Sequence, residues 1–368
     1  MNRIDINTFE RNSDFYSRLD LLLTVKSFDL QAIRKRYIAS KVNKVSGSTK
    51  RRDIATGGVI SLSIHNGKIL NQDIICKLKE PRGIDFLDNK LAISSENKVH
   101  VISDKLSTIH NPFFSFIHTV SFSPFSNDRL LISSSGFDCI FEYDLIDNTK
   151  VWEWFAWENG FDKGRDVYSD SDVYLTRDKS LADKWKTEGK NFLLINDPAT
   201  QSLPTAQRSA FINSVSYHQD DKELLLATLF HKGVLLLINR NNLVNEAIVK
   251  DMNHPHGGKM SNQFCLVTST NSGEVVLITN EEENRYFFNN LDGKPFELGE
   301  MEWLQNSIII DDFIITIDSN RTAFVIFNPI EKKYDIIPYD NNWAIQDLVI
   351  GEVDYNQKAL LIQSSQST

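Results

Sequence analysis

Cysteine, long apolar runs and positive charge are all scarce in this chain. Its 368 residues include three cysteines, Cys76, Cys139 and Cys265, without CxxC spacing, which favours buried, reduced thiols over a disulfide framework or a zinc site. No apolar run approaches the roughly 18 residues that a membrane span needs, and residues 1–7 lack the basic and apolar regions of a secretory signal. We therefore expect a soluble, cytoplasmic protein with no membrane partner.

The charge balance bears on the partners of the protein. The formal net charge is −9, whereas affinity for a phosphate backbone needs a basic surface, so we expect no nucleic-acid partner. Residues 34–52 are the local exception, with eight lysines and arginines and no acid before Asp53. We expect a basic loop there, either a solvated loop or a patch that attracts an anion. A glycine-rich phosphate loop and a GxSxG motif are both missing from the sequence.

A short phrase returns along the chain, each time as polar or turn residues that lead into a β-rich run. Its six copies are residues 81–85, 118–122, 212–217, 254–258, 302–304 and 343–347. Buried strands are predicted after them at residues 90–94, 129–134, 223–229, 264–268, 313–317 and 359–362. A period of about forty residues built from several short strands is typical of a β-propeller. We predict an all-β fold with six blades, or seven as the alternative.

The ends of the chain are expected to close this ring. Residues 57–64 and 68–78 flank Asn66-Gly67, a pattern that predicts a hairpin with a tight turn. The inner strands of that blade would come from residues 346–351 and 359–363, and a strand at residues 20–28 could belong to it. We predict a single domain over residues 1–368, with a polar insertion near residues 158–208 over one face or as a solvated excursion.

Residues 118–154 resemble one blade of NHL-type, WD-repeat and arylsulfotransferase-type propellers. The segment 142–145, followed by Trp152 and Trp154, is most similar to the arylsulfotransferase-like group, and residues 213–240 add to that resemblance. The resemblance implies sulfuryl transfer between phenols through a pore-facing histidine, assisted by other histidines and an arginine. Phe211 stands where this resemblance would place a histidine.

Propeller geometry also selects candidate site residues. The first residues of each inner strand point toward one mouth of the central channel, where ligands of propellers commonly bind. His118, His254 and His256 are the predicted catalytic residues, because a histidine titrates near neutral pH and serves as nucleophile or general base. Four further residues are predicted to bind the substrate, with the arginine clamping an anionic group through its planar fork. They are Arg82, Asn213, Trp303 and Gln346.

No cofactor is predicted with certainty, and a divalent metal is an alternative. A calcium site would draw on Asn213, Asp85, Glu302 and Asp347, whereas His254 with His256 would suit zinc. Three function classes stay open. The first is a transferase- or lyase-like enzyme acting on a small anionic or aromatic substrate, the second a non-catalytic platform for a protein or peptide on one rim, and the third a metal-assisted hydrolase or lactonase.

Overall fold

A computed structural model describes residues 1–42, 49–50, 53–166, 169, 171–280 and 282–366. Nearly all of its regular structure is extended. The strands are β1 (Asn2–Asp5), β2 (Glu10–Arg11), β3 (Leu19–Val25), β4 (Thr56–His65), β5 (Lys68–Lys79), β6 (Ile84–Leu87), β7 (Lys90–Ser94), β8 (Val99–Ile102), β9 (Leu106–Ile109), β10 (Ile117–Phe122), β11 (Arg129–Ser134), β12 (Cys139–Asp144), β13 (Thr149–Phe155), β14 (Lys163–Arg165), β15 (Asp172–Thr176), β16 (Phe192–Leu194), β17 (Ile212–Tyr217), β18 (Leu224–Leu229), β19 (Val234–Asn239), β20 (Asn245–Val249), β21 (Pro255–Met260), β22 (Phe264–Ser269), β23 (Glu274–Thr279), β24 (Glu282–Phe287), β25 (Leu304–Ile310), β26 (Phe313–Asp318), β27 (Ala323–Asn328), β28 (Lys333–Pro338) and β29 (Ile345–Ile350).

In the part of the chain that the structure describes, three α-helices accompany the strands: α1 (Leu30–Val42), α2 (Lys179–Thr187) and α3 (Tyr355–Gln366). Short 3-10 helices cover Ile6–Thr8, Ala156–Glu158, Thr205–Gln207 and Phe296–Leu298. None of the helices in the described ranges has the length and apolar character needed to cross a membrane.

Within the described residues, the strands form six antiparallel blades and one small additional sheet. The blades are β6–β9, β10–β13, β17–β20, β21–β24, β25–β28 and β29 with β3–β5, and we number them from first to sixth in that order. The inner strands β6, β10, β17, β21, β25 and β29 contact one another in a closed cycle. This arrangement is a β-propeller, and the predicted all-β fold is confirmed.

The sixth blade joins the two ends of the chain. Its inner strand β29 pairs with β3, and β3 pairs with β4. Asn66 and Gly67 have positive φ in the turn between β4 and β5, as the predicted hairpin requires. The strand predicted at residues 359–363 is wrong, because these residues lie in α3 and pack against β5, β8 and β9.

The first residues of the chain cover two outer blade edges. Strand β1 pairs in parallel with β24 of the fourth blade, and β2 pairs in parallel with β28 of the fifth. Each blade therefore gains a fifth strand, and its outer backbone groups find partners.

Buried hydroxyl groups connect neighbouring blades where the inner strands begin. Thr268 of β22 lies 2.7 Å from the Ser307 hydroxyl of β25, which in turn lies 2.9 Å from Thr316. All three side chains are buried. The chain places a serine or threonine near the end of the second strand of each blade, because these hydroxyls satisfy polar groups that the closed ring removes from water.

The insertion between the second and third blades is a small sheet, β14–β15–β16, with α2 beside it. The return segment, residues 195–211, leads from β16 back to β17. It is held to the turn between β11 and β12, where Asp138 accepts hydrogen bonds from the backbone N–H groups of Ser209, Ala210 and Ile212. His231 Nε2 lies 2.8 Å from the Thr205 carbonyl oxygen. The return segment thus lies at the channel end where the inner strands begin, which we call the mouth.

The basic stretch 34–52 differs from the expected loop. Its first part belongs to α1, where the buried Arg34 donates hydrogen bonds to the carbonyls of Ser319 and Asn320 at 2.6 and 2.8 Å. Burial lowers the pKa of this guanidinium. Lys44, Arg51 and Arg52 lie outside the described residues. Arg34 therefore anchors α1 to the fifth blade.

Candidate functional site

The mouth is surrounded by six polar side chains, one from each blade. Five are the second residues of inner strands, and Arg82 lies two residues before β6. Five of the inner strands have a register shift just after their first or second residue, and such bulges redirect side chains. Each of the six side chains is 2–8% exposed. We call this set the polar ring: Arg82, His118, Asn213, His256, Gln305 and Gln346.

A second tier lies two residues earlier in each blade. It consists of Glu80, Phe116, Phe211, His254, Trp303 and Ala344, four of which are aromatic. The first four have positive φ between 46° and 59°, a conformation that non-glycine residues seldom adopt and that indicates a constrained turn. The same turn thus recurs in four blades, and in three of them it places an aromatic side chain beside the polar ring. We call this set the aromatic tier.

Arg82 and His118 form a buried network on one side of the ring. Arg82 pairs with Glu80, and its Nη1 lies 2.6 Å from His118 Nε2. Because a guanidinium can only donate, His118 Nε2 accepts and Nδ1 donates to the Phe116 carbonyl at 3.0 Å. This tautomer is assigned from the hydrogen bonds. Burial and the charges of Arg82 and Arg208 hold the pKa of His118 well below its usual value.

His256 resembles His118 at Nδ1 and differs from it at Nε2. Its Nδ1 lies 2.6 Å from the Thr270 hydroxyl, just as His118 Nδ1 lies 2.7 Å from the Ser135 hydroxyl. Burial and the charge of Lys26 lower the pKa of His256 to about 3, so the imidazole is neutral at pH 7. His256 Nε2 has no hydrogen-bond partner among the described residues, whereas His118 Nε2 faces Arg82.

His254 forms part of the wall of the mouth. Its ring stacks on Phe230 with 4.1 Å between centroids, and Asn271 donates a hydrogen bond to its Nδ1. Phe230 also contacts the ring of Phe211 at 4.6 Å and that of His256 at 5.8 Å. These rings form a continuous aromatic wall on the third and fourth blades. The wall suits a planar molecule.

A lysine and two glutamines complete the opposite side. Lys26 Nζ donates to Gln346 Oε1 at 2.9 Å, and Gln346 Nε2 donates to Gln305 Oε1 at 3.1 Å. Lys26 Nζ also lies 5.6 Å from the centroid of a Trp303 ring, within the range of a cation–π contact. Arg208, from the return segment of the insertion, lies 5.0 Å from the Phe116 ring and 4.6 Å from the Phe211 ring. Among the described residues, three cations therefore surround the mouth: Lys26, Arg82 and Arg208.

Asn213 carries a buried acceptor at the ring. Its Nδ2 donates to the Pro255 carbonyl at 3.1 Å, which fixes the orientation of the amide because a carbonyl can only accept. Its Oδ1 is buried and receives no hydrogen bond from the described residues. Such an atom needs a donor from outside the protein.

The structure brings together all seven residues predicted for the site, in the ring or in the tier beside it. Several members of the mouth were missed, among them Lys26, Arg208, Gln305 and Phe116. Gln305 and Phe116 could have been found by aligning the six phrases on the ring position, since Trp303 is equivalent to His254 rather than to His256. Lys26 and Arg208 come from connections outside the repeat, and no periodic signal marks them.

The residues predicted for a metal are dispersed. Glu302 is fully buried and bonded to Lys294 at 2.5 Å and Arg321 at 3.1 Å. Asp85 and Asp347 line a separate cavity of about 50 Å³ deeper in the channel, beside Lys259. Across the described ranges, no group of three or more histidine, cysteine, aspartate or glutamate side chains could hold a metal ion.

No family model matches this sequence, and no curated protein matches it. Among solved structures, a chain of a nidogen/laminin complex is similar over 90% of this chain and 98% of its own length, with 7% identity and a TM-score of 0.55. A catalytically inactive virginiamycin B lyase from Staphylococcus aureus with quinupristin matches over 80% and 83%, at 9% identity and a TM-score of 0.45. A Bacteroides caccae protein of unknown function matches over 91% and 100%, at 11% identity and a TM-score of 0.49. At 7% identity, the similarity to the chain of the nidogen/laminin complex shows the fold alone, a β-propeller.

Proposed function

We propose that the mouth binds a small aromatic anion and that His256 exchanges a proton with it. The observation that carries this proposal is the gathering of Lys26, Arg82 and Arg208 around buried neutral histidines and the aromatic tier. Among the twelve ring and tier positions, Glu80 is the one acid, and it pairs with Arg82. Guanidinium and ammonium groups in a water-poor site favour a carboxylate, sulfate or phosphate group.

The aromatic tier supplies the second part of the specificity. Phe116, Phe211 and Trp303 are each less than 9% exposed, and the cations lie over their rings. A planar ring entering the mouth would meet the His254–Phe230 stack, while its anionic group faces the cations. Offset stacking of this kind adds roughly 0.5–1.5 kcal/mol per aromatic pair beyond area burial.

His256 is suited to proton transfer by its tautomer. The backbone carbonyl of His254 accepts a hydrogen bond from the imidazole, and in His118 the equivalent carbonyl is bonded by Nδ1. With Nδ1–H as donor in His256, Nε2 carries the lone pair. For an aryl sulfate, Nε2 takes a proton from the water that attacks sulfur, the S–O bond to the phenol oxygen breaks, and the proton passes to the leaving phenolate, which gives phenol and hydrogen sulfate. The neighbouring Lys26 charge disfavours the imidazolium, so His256 gives up the proton readily.

Replacing Lys26 by methionine is expected to weaken the binding of an aromatic anion about tenfold, because one of three cations is lost from a site of low dielectric. Isothermal titration calorimetry with benzoate and with para-nitrophenyl sulfate measures the dissociation constants of both variants and of the unmodified protein. The matched control is Lys259→Met, which removes the same charge from the deeper cavity. Equal losses in both variants, or none in Lys26→Met, would contradict the assignment of the anion to the mouth.

Replacing His256 by glutamine is expected to lower turnover of para-nitrophenyl sulfate by about 10²–10⁴-fold while the dissociation constant changes little. Glutamine retains an amide for the Thr270 hydroxyl but cannot take up a proton. Release of para-nitrophenol is followed by absorbance. His65→Gln, at an exposed histidine that ends β4 in the sixth blade, is the control and should keep full turnover. If the unmodified protein binds para-nitrophenyl sulfate but does not turn it over, the mouth is a binding site and the catalytic role of His256 is wrong.

A protein partner on the rim is the second candidate function. The similar chain at a TM-score of 0.55 belongs to a nidogen/laminin complex. In this protein Phe296 is 99% exposed in the connection between the fourth and fifth blades, at the mouth end of the ring. An exposed aromatic side chain of this kind is a common anchor in protein interfaces.

A further inference from the structure

The polar ring is not symmetric in its hydrogen-bonding character. Lys26, Gln346 and Gln305 form a directed chain in which each group donates to the next. The Oε1 atoms of both glutamines are therefore occupied, and Gln305 presents its Nε2–H₂ group, a donor, at the end of the chain. This side of the mouth consequently offers positive charge and donors, which suit an anionic group.

Asn213 provides the opposite character on the other side. In the cyclic order of the blades its third-blade position lies across the channel from Gln346 in the sixth blade. Its Oδ1 is an acceptor without a described donor, on a side chain that is 2% exposed. An acceptor that stays unpaired in a buried site is costly. The site is therefore complete when its ligand brings a donor.

We infer that the ligand is an acid with a hydrogen-bond donor on its far side: an anionic group faces Lys26 and Gln346, and an N–H or O–H group donates to Asn213 Oδ1. This inference rests on the proposed function and narrows it to bifunctional molecules such as amino- or hydroxy-substituted aromatic acids. Simple anions satisfy the cations but leave Asn213 unpaired.

The test compares two acids of nearly equal shape, para-aminobenzoate and para-methylbenzoate, by isothermal titration on the full chain. We expect the amino compound to bind at least about tenfold more tightly, because a site built to pair a donor rejects the analogue that lacks it. In Asn213→Ala this preference should fall to about twofold or less. Asn213→Asp keeps an acceptor at the same position and should retain the preference for the amino compound. If Asn213→Ala does not fold, Asn213→Asp still tests the role of the acceptor.

The outcomes separate the two levels of the proposal. Equal binding of both acids to the unmodified protein overturns the inference but leaves the aromatic-anion site standing. A preference that persists in Asn213→Ala overturns the assignment to Asn213. Binding of neither acid overturns the proposed function together with the inference. Loss of the preference in Asn213→Ala with its retention in Asn213→Asp supports both.

Discussion

Replacing Arg321 by methionine is expected to destabilise the protein by about 3–5 kcal/mol, the usual cost of breaking a buried ion pair. Arg321 Nη1 bonds Glu302 at 3.1 Å and Asp318 at 2.8 Å. Its Nη2 donates to the carbonyls of Phe288 and Leu291 at 2.9 and 2.8 Å. Without the guanidinium two buried carboxylates face each other, and Lys294 alone pairs with Glu302. Chemical denaturation measures the loss.

A matched control is Arg129→Met, because Arg129 also pairs with an aspartate, Asp144, but with its side chain 33% exposed. Exposed pairs contribute little since solvent screens them, so this variant should unfold almost as the unmodified protein does. Similar stability of the two variants would show that the Arg321 network contributes no more than a surface pair.

The Arg321 network also bears on the mouth. Glu302 directly precedes Trp303, and Asn320 Nδ2 donates to the Met301 carbonyl at 2.6 Å. The network therefore fixes the connection that carries Trp303 and leads into Gln305. A variant that loosens it should lose binding of aromatic anions before it loses the propeller fold, because neighbouring blades hold the strands independently.

Much of the architecture was predictable from local sequence. Strands β7 and β11 occur at the predicted residues, because short apolar runs bounded by turn residues leave few alternatives in a chain of regular period. The closing hairpin was marked by Asn66-Gly67, whose positive φ values few other residue pairs adopt.

The error at residues 359–363 has a clear physical source. An apolar run of that length fits a strand or a buried helix equally well, and the deciding signal lies upstream. Asp354 Oδ1 accepts from the Gln357 N–H at 2.8 Å, and Gln357 Oε1 accepts from the Asp354 N–H at 3.1 Å. This reciprocal pair is a capping box, which begins α3.

The candidate site was predictable in its location but not in its chemistry. The repeat placed His118, Asn213, His256 and Gln346 at one channel end, since their positions follow from the period alone. Which nitrogen of each histidine is engaged depends on partners outside the phrase itself, such as Arg82 of the preceding blade for His118 and Thr270, directly after β22 of the same blade, for His256. The period alone does not specify these partners.

The last prediction concerns pH and begins from two buried groups in the channel. Burial raises the pKa of Asp347 to about 7, although Asn306 Nδ2 donates to its Oδ1 at 2.6 Å. Burial and Lys26 lower the pKa of His256 to about 3. Because its pKa is raised in the folded state, Asp347 contributes stability that is present below about pH 4 and is lost as pH rises to about 7. Because its pKa is lowered in the folded state, His256 contributes stability that is present above about pH 6.5 and is lost as pH falls toward 3.

The two contributions have opposite slopes over the same range, so they offset each other between pH 4 and pH 6.5. Asp347→Asn removes the contribution of Asp347 to stability, which decreases as pH rises. Relative to the unmodified protein, the free energy of unfolding of this variant should therefore rise by roughly 1.4 kcal/mol per pH unit across that range. Urea denaturation at several pH values measures the difference.

His256→Gln supplies the contrasting case, because it removes the rising contribution and should show a difference of opposite sign over the same range. A constant difference between Asp347→Asn and the unmodified protein from pH 4 to pH 7 would mean that Asp347 ionises in the folded state as it does in the unfolded chain. Opposite slopes in the two variants would instead establish that the channel holds a protonated acid and a neutral histidine together near pH 6. The mouth would then offer His256 as a proton acceptor under conditions where the deeper cavity carries no full negative charge at Asp347.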